Sequence, residues 1–163
     1  MKDFPVLQTP RCVLNRITDE DILVMRQILD DDSTQKFLPE LQSLTRTSNE
    51  IRQMLSSFDI LLSRDEGIIW GGRLNDTMIA FVAVIDLSYN PTIIYAMHPK
   101  FRLKGYMKEC VNIVVKYILE NTLCQYMQSE VYKENTASVH LLQSIGFMVT
   151  NQDKRKIYLR KEC

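Results

Sequence analysis

Four cationic side chains, Lys100, Arg102, Lys104 and Lys108, fall in one acid-free stretch, His98-Pro99-Lys100-Phe101-Arg102-Leu103-Lys104-Gly105-Tyr106-Met107-Lys108. The residues before it, Thr-Ile-Ile-Tyr-Ala-Met at 92–97, read as a strand. Those after it place Met107, Val111, Val114 and Ile118 at helical spacing. A strand, a basic loop and a helix start, in that order, make an anion site. The first amides of a helix have no partner within it, and its dipole is positive there. Flanking cations strengthen the attraction for phosphate. Gly105 has no Cβ, so a ligand oxygen can come close to the backbone. The same residues read equally well as a solvated basic loop with a turn glycine. The stretch has neither the paired glycines of a dinucleotide fingerprint nor a Walker A loop.

Other chemistry-bearing residue types are sparse. Cys12, Cys110, Cys124 and Cys163 lie far apart without a Cys-x-x-Cys pair, and His98 and His140 are the two histidines. That pattern argues against a metal site or a disulfide framework, and for a reducing, cytoplasmic location. Cys110 and Cys124 read as small buried apolar residues, and Met25, Met54, Met78 and Met97 as gap fillers. Net charge is zero, which gives no reason to expect nucleic acid or an anionic membrane as partner. The longest apolar run, 78–85, is too short to span a bilayer. The opening Met1-Lys2-Asp3-Phe4-Pro5 does not read as a secretory leader. A chain of 163 residues can bury a core without staples, so a single domain over 1–163 is expected.

The elements that must position the basic loop follow from periodicity. Residues 6–16 read as an extended opening segment. Thr18 and Asp21 make a capping-box pattern ahead of Ile22, Met25 and Leu29, and the acids Asp30-Asp31-Asp32 with Pro39 read as the end of that helix. Thr47 and Glu50 form a second box before Ile51, Met54, Leu55, Phe58, Leu61 and Leu62, one face of an amphipathic helix. The period then shortens: 68–74 and 78–87 read as strands joined at the turn Asn75-Asp76-Thr77. Residues 92–97 form a third strand and 124–132 a later one. Asn135 or Thr136 caps a short helix ending at Gly146, and 147–151 with 156–160 form a terminal hairpin. The outcome is an α+β chain of about seven strands and four helices. Its sheet is largely antiparallel, with one parallel pair across 92–132. Trp70 and Phe81 are expected in the sheet core.

Arg102-Leu103-Lys104-Gly105-Tyr106-Met107 resembles the Arg/Gln-x-x-Gly-x-Gly/Ala pyrophosphate loop of GNAT acetyltransferases, and 94–99 looks like the strand leading into it. Asn135-Thr136-Ala137-Ser138, followed by Leu141 and Ser144-Ile145-Gly146-Phe147, is similar to the Asn-x-Ala-Ser…Gly-Phe stretch of the RimJ/RimL-like branch. Thr9-Pro10-Arg11-Cys12-Val13-Leu14-Asn15-Arg16 resembles that branch's opening strand, and Trp70 and Ile79-Ala80 fall where its middle hairpin has a Trp and an Ile-Gly. The pieces span nearly the whole chain in order. Three positions depart from the family: Met107 where a small residue is usual, Leu142 where many members carry a tyrosine acid, and Thr92 where many have a glutamate.

The resemblance implies the GNAT fold and acetyl-CoA as co-substrate, without a metal. It implies direct attack of an amine, on a small molecule or a protein N-terminus, and a homodimer as an open oligomeric expectation. Cofactor contacts are implied at Met97, His98, Arg102, Leu103, Lys104, Gly105, Tyr106, Met107 and Asn135. A strand-end amide at Met97 or His98 is implied as the oxyanion donor. Ser138 resembles the branch's proton donor, against a plain reading as a helix-start serine bonding its own backbone. Glu130 is the candidate base, against a solvated strand carboxylate; Tyr132 and the His98 side chain are weaker candidates, and His140 reads as filler. The acids Asp30, Asp31, Asp32 and Glu40 can attract a cationic acceptor or simply be solvated. Two alternatives to an enzyme stand: a CoA-binding regulatory module without efficient turnover, and an unrelated α+β domain binding another phosphate.

Overall fold

The computed structural model describes residues 3–163. Met1 and Lys2, the start of the segment read as no secretory leader, lie outside the described residues. In chain order the elements are β1 (Leu7–Gln8), β2 (Val13–Asn15), α1 (Ile22–Leu29), α2 (Asp32–Phe37), α3 (Pro39–Ser43), α4 (Ser48–Ser63), β3 (Gly67–Leu74), β4 (Thr77–Ile85) and β5 (Thr92–Met97). There follow α5 (Tyr106–Asn121), β6 (Tyr126–Tyr132), α6 (Thr136–Ser144), β7 (Met148–Gln152) and β8 (Lys156–Glu162). The strands make one mixed sheet in the order β1-β2-β3-β4-β5-β6-β8-β7. Its neighbours are antiparallel except β5 and β6, which run parallel as the crossover through α5 requires.

The α+β expectation holds, with two local differences. The opening segment is a small hairpin, β1 against β2, rather than one strand. The acids at 30–32 do not only stop α1: Asp31 turns extended and its side chain accepts from the Thr34 amide, starting α2, and Pro39 starts α3. Asp is as good a helix N-cap as it is a poor helix interior. Among the described residues this raises the count to eight strands and six α-helices.

The sheet buries both faces. On one, Leu14, Ile68, Trp70, Val82, Val84 and Ile93 pack with Val111, Val114 and Ile118 of α5 and Leu142 of α6. On the other, Ile69, Phe81 and Ala83 pack with Ile22, Met25 and Ile28 of α1 and Ile51 of α4. β4 lies between two strands and two helical layers, which is why its sequence is continuously apolar rather than alternating. Trp70 is fully buried, and its indole donates to Pro5 O at 2.8 Å. Asn75 and Asp76, at φ 49° and 66°, form a two-residue turn joining β3 to β4. Thr47 caps α4 by accepting from the Glu50 amide at 3.1 Å.

Candidate active site

The site begins where two strands part. His98 N–H donates to Ile79 O at 2.8 Å, in a register that runs Ala80↔Met97, Phe81↔Ala96, Val82↔Tyr95. Hydrogen-bonded pairs alternate along an antiparallel ladder. The main-chain groups of Ile94, Ala96 and His98 therefore face β4, and those of Ile93, Tyr95 and Met97 face the opposite way, toward β6. There the register has the single pair Thr92↔Gln128. Gln128 N–H reaches Pro91 O at 2.9 Å and its side-chain amide reaches Thr92 Oγ1 at 3.1 Å. One residue on, the Ser129 hydroxyl takes the Ile93 carbonyl at 3.2 Å, and the strands separate. The amides of Tyr95 and Met97 are left facing a cleft of about 650 Å³. Of the two strand-end amides expected to meet an oxyanion, His98's is already bonded, so Met97's is the one that faces the opening.

At one end of this cleft stands the basic loop. Leu103 and Gly105 have φ of 64° and 83°. Gly105 forms the N-cap of α5 with no side-chain cap bond, and Glu109 N–H bonds Gly105 O at 3.2 Å. The earlier amides of the turn have no partner within the helix. The loop is clamped from the β1–β2 hairpin. Arg11 Nη2 donates to Lys104 O at 2.9 Å, and its guanidinium lies 4.3 Å from the Tyr106 ring centre. Glu109 accepts from Thr9 Oγ1 at 2.8 Å and from the Arg11 amide at 3.1 Å. Burial pushes the Glu109 carboxyl up, but the Thr9 and Arg11 bonds outweigh it and hold it below its ordinary range.

The expected contact residues divide. Met97, Arg102, Leu103, Gly105, Tyr106 and Met107 line the cleft. From the facing side so do Glu130, Asn135 and Ser138, with Tyr132 and His140. His98 and Lys104 are not in the lining. His98 Nδ1 accepts from Lys100 N–H at 3.2 Å, so Nε2 carries the proton toward Gln27 Oε1, also at 3.2 Å. Burial, with Lys100 and Arg102 nearby, lowers its pKa. Both ring nitrogens are engaged, one by the loop and one by Gln27 of α1.

Arg102 lines the cleft but is turned across it. Its Nη2 donates to Asp31 Oδ2 at 2.8 Å and to Met97 O at 3.0 Å, with Thr34 Oγ1 at 3.5 Å. The arginine thus ties the start of α2 to the end of β5, and Asp31 is not free for a cationic acceptor. Burial raises the Asp31 carboxyl, yet Ser33, Arg102 and the Thr34 amide together pull it down to about 2. A depressed carboxyl stabilises the fold above its ordinary pKa of 3.8 and loses that contribution as pH falls through about 2. Asp31→Asn is therefore expected to lose about 2 kcal/mol at pH 7. Its melting temperature should converge on the wild type's as pH drops from 4 toward 2. A gap that stayed constant across that window would mean the bridge is not holding α2.

On the facing side, Asn135 caps α6, its Oδ1 accepting from the Ser138 amide at 3.4 Å. The Ser138 hydroxyl meets the Tyr95 hydroxyl at 2.5 Å. Glu130 stands half exposed on β6 with Lys156 Nζ at 3.4 Å. Leu142 is fully buried in the core and presents no polar group. Thr92 sits at the closed end of the β5–β6 pairing, bonded by Gln128. The roles that local pattern did not disclose are those of Arg11, Thr34 and Tyr95 and the pairing of Asp31 with Arg102. Each acts through a partner far along the chain, and at Tyr95 the sequence signals no more than a strand over 92–97.

Comparison with known proteins gives a consistent result. The family model described as "Acetyltransferase (GNAT) domain" matches residues 11–148. The uncharacterized N-acetyltransferase YoaA of Bacillus subtilis strain 168 is 27% identical over 151 residues, covering 88% of this chain and 83% of that protein. A GNAT-family acetyltransferase from Bacillus anthracis superposes with a TM-score of 0.81 at 15% identity, over 97% of this chain and 98% of that one. A RimL ribosomal L7/L12 alpha-N-protein acetyltransferase in complex with coenzyme A superposes with a TM-score of 0.84 at 11% identity, again over 97% and 98%. With strands parted beside an uncapped helix start, and a family match running through both, the chain belongs to the GNAT acetyltransferase family.

Proposed function

We propose that the protein, acting as one domain over 1–163 in the cytoplasm, transfers an acetyl group from acetyl-CoA to an amine of a small molecule or a protein N-terminus. The observation that carries this is the shared cleft: the Met97 amide, the uncapped start of α5 and the Asn135–Ser138 turn all border it. The CoA-bound RimL relative supports the choice of nucleotide. Backbone amides from Gly105 onward would hold the diphosphate, with Lys108 at the cleft and Lys104 beside it. Met107 at this start leaves its amide available; only its side chain differs from the family's small residue. Asn135 would meet the arm of the nucleotide, while its capping bond keeps the side chain in one orientation. Acetyl-CoA supplies the activated thioester. The Met97 amide would meet the charge that develops on the carbonyl oxygen, and a pre-aimed donor of this kind is worth several kcal/mol, about 3 in measured cases. Glu130 borders the cleft and would take a proton from the amine directly or through water.

The second reading, a CoA-binding regulatory module with little turnover, is favoured by the buried Leu142 and by Thr92 being tied to Gln128. Purified protein given acetyl-CoA and a panel of primary amines separates the two. Amine-dependent thiol release above the uncatalysed rate is the expected result. A CoA-dependent rise in melting temperature without release would establish the module instead, and no rise at all would remove CoA from the picture.

A further inference from the structure

The hydroxyls of Tyr95 and Ser138 approach each other to 2.5 Å across the place where β5 and β6 part. Their partnership is not a helix-start commonplace. Ser138 Oγ is bonded to a strand residue rather than to its own helix backbone, and the Ser138 amide is satisfied separately by Asn135. Tyr95 is held on both sides: its main chain faces the opening in the sheet, and its ring packs against the core shared with α5 and α6. Both side chains line the cleft. On α6, Leu142 is buried and without a polar atom. A phenol nevertheless reaches the same cleft, from the strand instead of the helix.

We propose that Tyr95 and Ser138 form one hydrogen-bonding unit for the departing sulfur of CoA, Ser138 O–H pointing at the sulfur and Tyr95 O–H donating to Ser138 Oγ. This rests on the acetyl-transfer reading of the cleft. A phenol is the more acidic of the two hydroxyls, so donation runs from Tyr95 to Ser138, which leaves the serine's single proton free to point outward. Burial pushes the Tyr95 phenol up to about 12, partly offset by the Ser138 bond, so it stays protonated and remains a donor wherever the enzyme works. As the N–C bond forms and the C–S bond breaks, the bonding pair passes to sulfur and the surplus proton leaves nitrogen toward Glu130 or solvent. The hydroxyl pair loses no proton; it stabilises the anion by charge-assisted hydrogen bonding. Tyr95 is then a positioning residue and Ser138 the group that touches sulfur.

The free thiol of CoA reports on the arrangement directly. If donors are aimed at sulfur, bound CoA favours its thiolate. Calorimetric affinity should then rise about tenfold from pH 6.5 to pH 9.5, the signature of a thiol pKa lowered by one unit on binding. The charged and titratable groups lining the same cleft are Arg102 from the loop, Tyr106 and Lys108 from α5, Glu130 and Tyr132 from β6, and His140 from α6. Desulfo-CoA, which lacks the thiol, measures their combined contribution and is expected to vary by less than threefold over the same range. Tyr95→Phe and Ser138→Ala should each bring the CoA profile down to the desulfo-CoA profile while keeping affinity at pH 6.5 within about threefold. Tyr95→Phe should also lower kcat ten- to a hundredfold with the KM for acetyl-CoA nearly unchanged. A wild-type profile that matches desulfo-CoA overturns the proposal and leaves acetyl transfer standing. So does a Tyr95→Phe profile identical to wild type. Failure of CoA to bind at any pH removes the acetyl-transfer reading and this one with it.

Discussion

Gly105→Glu is expected to weaken CoA binding roughly a hundredfold, and Gly105→Ala to weaken it far less. The two variants share one defect. Gly105 sits at φ 83°, and a Cβ built there would lie 3.1 Å from Arg11 Nη2. Any side chain therefore carries the left-handed strain of about 1–2 kcal/mol and crowds the clamp. Both variants should melt earlier than wild type by a similar margin. They differ in charge. Glutamate places a carboxylate where the first amides of α5 would meet a diphosphate. Losing one or two charge-assisted bonds of about 1.5–3 kcal/mol each is a factor of roughly 100 in affinity. Calorimetric titration of CoA into both variants, beside their melting temperatures, isolates the electrostatic part. Equal affinities for the two would show that the nucleotide's charge lies elsewhere, and the loop would return to being a solvated turn.

That the loop was legible in sequence and its supports were not has a physical reason. An anion site at a helix start is made of neighbours: the cations, the glycine and the amides of 98–108 are contiguous, so spacing alone exposes them. The supports come from contacts that span the chain. Arg11 reaches Glu109 across 98 positions and Arg102 reaches Asp31 across 71. Nothing local at Arg11 marks it as the clamp of a helix 98 positions away. Reading Arg102 as one more phosphate cation follows from its neighbours; its pairing with Asp31 follows from α2, which the acid run at 30–32 does not announce. Aspartate both ends one helix and begins the next, and only the tertiary partner of Asp31 decides between the roles.

The sheet shows the same division. Periodicity places β3, β4 and β5 within a few residues, because burial on one face or two is written in each strand's own side chains. The neighbour of each strand is not. β8 pairs with β6 and leaves β7 at the edge, its residues exposed throughout. Nor does period disclose where β5 and β6 part. That depends on Ser129 taking the Ile93 carbonyl with its side chain, a bond between strands 36 positions apart.

Asp21→Ala is expected to destabilise the protein by about 3–5 kcal/mol, the range seen when one member of a buried ion pair is removed. Asp21 is 6% exposed, and its carboxylate accepts from Arg73 Nη1 at 2.8 Å, from Arg73 Nη2 at 2.6 Å and from the Thr18 amide at 2.8 Å. Arg73 also donates to Asn15 Oδ1 at 2.6 Å and to Arg16 O at 3.1 Å. One guanidinium thus joins β2, β3 and the start of α1, and deleting the carboxylate strands it in a place with little water. Burial raises the Asp21 carboxyl, but the Arg73 and Thr18 bonds outweigh it and leave its pKa lowered. The contribution is therefore present above the ordinary carboxylate range and fades on acidification, so the gap between wild type and Asp21→Asn should narrow as pH falls. The consequence reaches the cleft, because α1 carries Gln27, the partner of His98, and leads directly into Asp31. Urea denaturation should show a lower midpoint at unchanged slope for Asp21→Ala. The double variant with Arg73→Ala should be more stable than the sum of the single losses, since it no longer buries a lone charge. Strict additivity would instead mean that the carboxylate and the guanidinium act independently.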